Sequence, residues 1–327
     1  MNLRILSADD VRKALPMTEA IEAVKSAFVQ LSMGKVKMPL RTPIDVPAHK
    51  GITLFMPGYL ADDNQMAIKI VSIFSDNIAR GLPLIHALVV VVDPTTGQPQ
   101  AAMDGTHLTA LRTGAASGAA TELLAVSSAR VAAILGAGAQ GKTQLEAVCA
   151  VRPIKQAWVY DTNPTQAADY AREMSQRLSL PVTVSKSPQE ALSQADIICT
   201  ATTSSTPVFS DADLKSGAHI NAVGAYTPQM QEVPSETVAR ATVVIDHRTA
   251  SLAEAGDLLI PLSQGRITLD HIRAEIGEII AGTKPGRRSE TEITLFKSVG
   301  VAGQDVAAAS RVLANAKRMG LGVSVTL

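Results

Sequence analysis

The chain has no excess of charge in either sign. Thirty lysines and arginines balance thirty aspartates and glutamates, and no run of five or more like charges occurs. No global field draws a polyanion, so neither nucleic acid nor a membrane surface is expected as a partner. Long apolar runs are also missing. Stretches such as 87–92 and 131–135 fall far short of the roughly 20 residues that cross a bilayer. The N-terminal MNLRILSADDVRKAL carries acids where a signal peptide has its apolar core, and a soluble cytoplasmic protein is expected. Cysteine is nearly absent. Cys149 and Cys199 stand in segments that read as core helix and core strand without metal-type spacing, which predicts two buried reduced thiols, no disulfide and no metal. Internal repeats and low-complexity tracts are lacking too.

What is present fills 327 residues, enough for two modest domains. Residues 8–34 carry apolar positions at helical spacing, with Thr18 as N-cap and Gly34 as stop, so one amphipathic helix is expected to open the chain. From Met38 to Met103 the runs RTPIDVP, ITLFMPGYL, MAIKIVSIF, IHALVVVVDP and QPQAAMD alternate with Pro, Gly and Asp-Pro turns, which predicts a mostly antiparallel sheet. The small-residue helical stretch TALRTGAASGAATELLAV leads into residues 129–244, where strand and helix patterns alternate. That alternation predicts a parallel, doubly wound sheet. From Leu252 the pattern is helical with one interruption at ITLFKSVG, and AAASRVLANAKRMG is a helix able to pack back on the first domain.

Gly136-x-Gly138-x-x-Gly141 follows the strand VAAIL and precedes a helix, and Asp161 ends the next strand twenty residues after Gly141. The spacing is that of a dinucleotide fingerprint. Gly136 permits the tight turn, Gly138 lets backbone N–H groups approach a pyrophosphate, and Gly141 lets the helix pack on the strand. The helix N-terminus then faces the phosphates. A carboxylate at Asp161 accepts both ribose hydroxyls and repels a 2′-phosphate, so NAD(H) is favoured over NADP(H). The competing reading is a purely structural Gly-rich turn.

Arg41, Lys69 in MAIKIVSI and Arg112 in TALRTG are isolated cations in apolar surroundings. Singly, each reads as a stem packed on the core with its head in water; together they read as an anion clamp, since arginine offers a bidentate fork and lysine a point charge able to release a proton. His86 opens the strand HALVVVV and is either a satisfied histidine or a site residue. Asp104 and His107 read as the cap of the helix carrying Arg112. In HINAVGAYTPQMQEV, residues 219–233, a buried strand ends at Gly224, which places Ala225, Tyr226 and Thr227 beyond its carboxyl end.

LFMPGY (54–59), the lysine of AIKIV, LTALRTGAAS (108–117), ILGAGAQG (134–141), INAVGA (220–225) and ITLFKSVG (293–300) together resemble the ornithine cyclodeaminase and mu-crystallin family. The resemblance implies a β-rich α+β substrate and dimerisation domain, residues 1–118 with 303–327, and a Rossmann domain, residues 119–302, in an α/β protein acting as a homodimer. Carried over by position, Arg41, Lys69 and Arg112 match contacts to a substrate carboxylate, with Met56 and Val299 also in the substrate pocket. Thr113, Gly136, Gly138, Ala139, Gln140, Gly141, Asp161, Thr202, Val223, Gly224 and Ser298 match dinucleotide contacts. Lys69, Arg112, Tyr226 and His86 form the expected catalytic set.

The family's cyclodeaminases carry an aspartate in a G-D-x-P-x-K pattern, whereas this chain reads Ala225-Tyr226-Thr227-Pro228-Gln229-Met230. Without that acid, ornithine cyclisation is disfavoured. The resemblance then implies an NAD(P)H-dependent ketimine reductase taking a small cyclic imino acid: Δ1-pyrroline-2-carboxylate to L-proline, and Δ1-piperideine-2-carboxylate to L-pipecolate. An alanine-type dehydrogenase and a mu-crystallin-like binding protein are the alternatives. Lys69 or an ordered water is the expected proton donor, and Arg112→Ala is expected to lose turnover with the fold intact.

Overall fold

Ser7 ends one element and starts the next. In this computed structural model, which describes residues 1–327 apart from the side chain of Ile78, strand β1 (Asn2–Leu6) precedes helix α1 (Ala8–Ala14). The Ser7 hydroxyl accepts the Asp10 N–H at 3.2 Å, and the Asp10 carboxylate accepts the Ser7 N–H at 2.9 Å, a reciprocal cap. Pro16 lacks an N–H, and a second helix, α2 (Met17–Ser32), starts beyond it without a side-chain cap. The single opening helix capped by Thr18 is therefore corrected to a strand and two helices, with Thr18 inside α2. Gly34 follows the end of α2 at φ +70°.

The chain continues through β2 (Val36–Lys37), β3 (Thr42–Val46), β4 (Gly51–Leu60), β5 (Gln65–Phe74), β6 (Ile85–Val92), β7 (Pro99–Asp104) and α3 (Gly105–Leu124). There follow β8 (Val131–Leu135), α4 (Ala139–Val151), β9 (Gln156–Tyr160), α5 (Pro164–Leu178), β10 (Val182–Val184), α6 (Pro188–Leu192), β11 (Ile197–Thr200) and β12 (His219–Ala222). Then come α7 (Ser235–Arg240), β13 (Thr242–Ile245), α8 (Arg248–Glu254), α9 (Gly256–Ser263), β14 (Ile272–Glu275), α10 (Ile276–Ile280) and β15 (Thr294–Lys297), and finally α11 (Ala302–Met319) and β16 (Val323–Thr326). The expectation of an all-helical end broken once at ITLFKSVG is corrected: β14 and β16 are strands as well. At four residues each, they are too short to impose a visible period.

Two units result, Met1–Arg112 with Val301–Leu327, and Thr113–Gly300; the division falls within α3. The first holds an eight-stranded sheet ordered β16-β1-β7-β6-β5-β4-β2, with β3 on β4. It is antiparallel except where β1 runs parallel to β7. Along β4 and β5 burial alternates, with Leu54, Met56, Leu60, Ala67, Lys69 and Val71 on the covered face, as the period-two pleat requires. Helices α2 and α11 pack on each other, and α11 packs on β4 and β5. The second unit is an eight-stranded parallel sheet, order β10-β9-β8-β11-β12-β15-β13-β14, in which the order of strand addition reverses between β8 and β11. The α/β fold class is as the sequence predicts. Cys199 is buried and Cys149 only half-buried, so the expectation of two buried thiols holds for one; both are free, and burial pushes each thiol up to about 12.

His219 at the start of β12 is fully buried, 2.9 Å from Thr294 Oγ1 and 3.2 Å from Asn221 Oδ1. Burial and the Arg287 charge push its pKa down from 6.5 to about 3. Across that interval the unfolded chain binds a proton that the folded chain refuses, so stability falls as pH drops through it. Melting temperatures followed from about pH 7 to 5 should decline, and His219→Asn should flatten the decline; an equally steep fall in the variant assigns acid sensitivity elsewhere.

Candidate active site

Within the first unit, strand register collects the charged groups. Lys69 on β5 lies opposite Met56 on β4 and Val89 on β6, on the face that α11 covers. Its ammonium is 2.8 Å from Asp305 Oδ2 on α11, and both side chains are only 2 % exposed. Arg112 on α3 donates from Nε to Asp305 Oδ1 at 3.0 Å and from Nη1 to Gln304 Oε1 at 2.7 Å. Asp104 immediately precedes the helix bearing Arg112, and its carboxylate accepts the His107 N–H at 2.7 Å, in keeping with the capping role read from the sequence.

Two buried cations thus share one buried carboxylate. Burial lowers the Lys69 pKa from 10.5 to about 8; Asp305 opposes the shift, while the charges of Arg112 and Arg41 add to it. Arg41, half-buried just before β3, therefore feels the same cluster. Burial works to raise the Asp305 carboxyl, but Lys69 and Arg112 outweigh it and hold it below the ordinary range. A net positive charge in a place shielded from water calls for an anion. Asp305 and Gln304 escape the sequence reading; their only signal is an acid and an amide in the first turn of a helix otherwise rich in Ala and Val.

His86 is not brought to this cluster. It pairs with Ser72, three residues along β5 from Lys69 and hence on the opposite face of the pleat, where it is exposed. The structure therefore does not join the expected His86 to Lys69 and Arg112.

In the second unit, the Gly-rich turn between β8 and α4 has the geometry a dinucleotide requires. Gly136 sits at φ +105° and donates to Tyr160 O at 2.9 Å. A Cβ on Gly141 would stand 2.2 Å from Gly136 O, whereas one on Gly138 would meet nothing within 4 Å. Gly138 caps α4 without a side-chain hydrogen bond, leaving the first-turn N–H groups of Ala139, Gln140 and Gly141 for a ligand. Gln140 Oε1 is buried with no hydrogen-bond partner. Asp161 accepts the Ala137 N–H through Oδ2 and the Asn163 N–H through Oδ1, each at 2.8 Å. Each oxygen keeps a lone pair for a ribose hydroxyl. The residues present fit a dinucleotide.

Beyond the carboxyl ends of β11 and β12, Thr202 and Gly224 are both held by Glu232, and Val223 N–H donates to Thr200 O at 3.0 Å. Tyr226 follows, half-buried. Past β15, Asp246 Oδ2 accepts from Ser298 Oγ (2.8 Å), Val299 N (2.8 Å) and Gly300 N (2.9 Å). Thr113 is buried on α3. Glu232 and Asp246, which organise these loops, are also missed by sequence reasoning, because nothing local distinguishes a buried loop acid from a solvated one. Among the described residues no helix is long and apolar enough to cross a membrane, and no cluster of three or more His, Cys, Asp or Glu could hold a metal ion.

The model of the ornithine cyclodeaminase/mu-crystallin family matches residues 1–320. The chain belongs to that family. It is 39 % identical over 319 residues to a Δ1-pyrroline-2-carboxylate reductase of Bacillus cereus, covering 97 % of this chain and 98 % of that protein. It is 36 % identical over 325 residues to an alanine dehydrogenase of Archaeoglobus fulgidus, covering 99 % and 98 %. Among solved structures, Thermococcus litoralis Δ1-pyrroline-2-carboxylate reductase in complex with NADH and L-proline superposes with a TM-score of 0.96 at 45 % identity, covering 99 % of this chain and 100 % of that one. Family membership alone does not select between imine reduction and amino-acid dehydrogenation, so the chemistry of the site must.

Proposed function

We propose that this member of the ornithine cyclodeaminase/mu-crystallin family is an oxidoreductase that reduces the C=N bond of Δ1-pyrroline-2-carboxylate to give L-proline, with the six-membered homologue as a second substrate. The observation that carries the reading is the buried Lys69–Asp305–Arg112 cluster, which combines surplus positive charge with a lysine poised near neutrality. The likeness to the Thermococcus litoralis enzyme supports it. Arg112 and Arg41 hold the substrate carboxylate. Lys69 gives its proton to the imine nitrogen, making the ring carbon a better hydride acceptor. A bound nicotinamide cofactor supplies the hydride; with carbon receiving hydride and nitrogen a proton, the imine becomes a secondary amine. The substrate-contact roles of Tyr226 and Val299 rest on the family pattern alone. Tyr226, where cyclodeaminases carry their aspartate, has no charge for a second amine. Asp161 supports NADH over NADPH through the 2′-hydroxyl it accepts.

The test is NADH consumption with Δ1-pyrroline-2-carboxylate, beside pyruvate plus ammonia and with NADPH in parallel. Turnover with the cyclic imine alone supports the proposal. Turnover only with pyruvate and ammonia replaces it with an alanine-type dehydrogenase, and silence in both with a binding protein. The free thiols fit a reducing compartment such as the cytoplasm.

The first unit also supports a homodimer. The face of its sheet opposite Lys69 carries a row running Val323, Ile5, Ala102, Val90, Ile68, Pro57 across six strands, flanked by Leu88 at 44 % exposure. A monomer rarely leaves such a continuous apolar surface in water. We expect Ile68→Asp to convert a dimer to a monomer by light scattering; a wild-type monomer, or a variant that stays dimeric, counts against this face.

A further inference from the structure

In a parallel sheet the ladder stops at the carboxyl ends of the strands, and the backbone N–H groups just beyond need other acceptors. Here one side chain supplies them for two neighbouring strands. Glu232 is fully buried. Its Oε1 accepts from Thr202 N at 2.6 Å and Thr202 Oγ1 at 2.8 Å. Its Oε2 accepts from Thr200 Oγ1 at 2.9 Å, Gly224 N at 2.7 Å and Ala225 N at 3.1 Å. Five donors converge on two oxygens; burial and the nearby Asp257 charge push the carboxyl's pKa up, while Lys297 and the Thr202 donors oppose that shift.

Glu232 is fixed in turn. Asp257 Oδ1 accepts the N–H groups of Glu232 at 2.7 Å and Val233 at 2.9 Å, and Asp257 Oδ2 lies 2.9 Å from Lys297 Nζ at the end of β15, with both side chains fully buried. The chain Lys297–Asp257–Glu232 therefore ties together the carboxyl ends of β11, β12 and β15, three consecutive strands of the sheet. The fit leaves no slack: a Cβ on Gly224 would stand 2.2 Å from Thr202 O and 2.4 Å from Glu232 Oε1. The fingerprint and Asp161 lie at β8 and β9, on the adenosine side of the strand-order reversal; β11 and β12 lie on the other.

We infer that Glu232 is a positioning residue for the nicotinamide half of the cofactor: by holding Thr202 and Gly224 in one arrangement, it shapes that half of the site. The inference rests on the dinucleotide reading of the second unit. Because the adenosine half is built on different strands, disturbing Glu232 should be felt by one half only.

The experiment compares Glu232→Gln with wild type in calorimetric titrations of the full chain with NADH and, separately, with ADP-ribose, which lacks the nicotinamide. Glutamine keeps the shape but turns one acceptor into a donor facing donors. NADH should bind about tenfold or more weakly, with ADP-ribose within about twofold of wild type, and the KM for NADH should rise more than that for the imine. Equal loss for both ligands, or no loss for either, overturns the inference. If Glu232→Gln does not fold, Thr200→Val decides: it removes one donor to Glu232 without changing side-chain shape, and should weaken NADH alone by about two- to fivefold. Wild-type protein that binds neither ligand refutes the dinucleotide reading itself, a result distinct from the other two.

Discussion

Replacing Lys69 by methionine is expected to lower kcat for imine reduction by about 10³-fold or more, within the range a positioned general acid contributes, while the protein stays folded. The second half of that expectation follows from the charge balance. Lys69 lies in the covered row between Met56 and Val89, where an unbranched methionine can take the place of its stem. Its departure leaves Asp305 Oδ1 paired with Arg112 while Oδ2 loses its ammonium, so some stability is lost, as whenever a buried pair is broken from one side, but the carboxylate keeps a cation. Burial also depresses the Lys69 pKa from 10.5 to about 8, so between those values the unfolded chain holds more protons than the folded one. Folding is penalised for the charged amine at neutral pH and the penalty relaxes as pH rises through that window; removing the amine relieves that penalty, which offsets part of the loss at Asp305. In the wild type, kcat/KM should fall as pH rises above about 8, because the donor loses its proton. Asp305 raises the Lys69 pKa, so Asp305→Asn should move this descending limb to lower pH. A limb that stays in place or moves upward in Asp305→Asn, or persists in Lys69→Met, would remove Lys69 as the donor.

How much of this was legible in the sequence depends on the range over which each feature is decided. The fingerprint is local: the φ of Gly136 and the clearance at Gly141 are settled by a few neighbours, and the spacing to Asp161 reports the next strand. Lys69 was conspicuous because a charge interrupts an apolar strand. The face that His86 takes was hidden because IHALVVVV has no alternation: Val89 and Val91 face the covered side, while Leu88 and Val90 stand in the outer face that the dimer proposal uses. With both faces apolar, parity cannot be read from the pattern. Asp305 was invisible for a different reason. It lies 193 residues along the chain from Arg112, and its partners are chosen by the packing of α11 on the sheet. Glu232 and Asp246 share that character, since each acts by collecting backbone donors from loops that only the strand order brings together.

Arg112 carries the second large effect, and the structure changes what its replacement should do. The sequence alone suggested that Arg112→Ala would lose turnover with the fold intact. Its Nε and Nη1 bonds to Asp305 and Gln304 are buried, and truncation leaves both acceptors short of a donor. Breaking a buried pair from one side costs about 3–5 kcal/mol, so Arg112→Ala should lose stability as well as activity, and its kinetics cannot separate the two. Arg112→Lys is the sharper variant. It keeps the charge that balances Asp305, so its melting temperature should stay closer to wild type. It gives up the planar fork that grips a carboxylate at two points, so kcat/KM for the imine should fall by about 10²-fold as the ring loses its fixed orientation. NADH affinity should be unchanged, because Arg112 is no part of the fingerprint. A folded Arg112→Lys protein with wild-type kinetics for the imine would show that the substrate carboxylate is held elsewhere, and would leave Arg112 as the counter-ion of Asp305 alone.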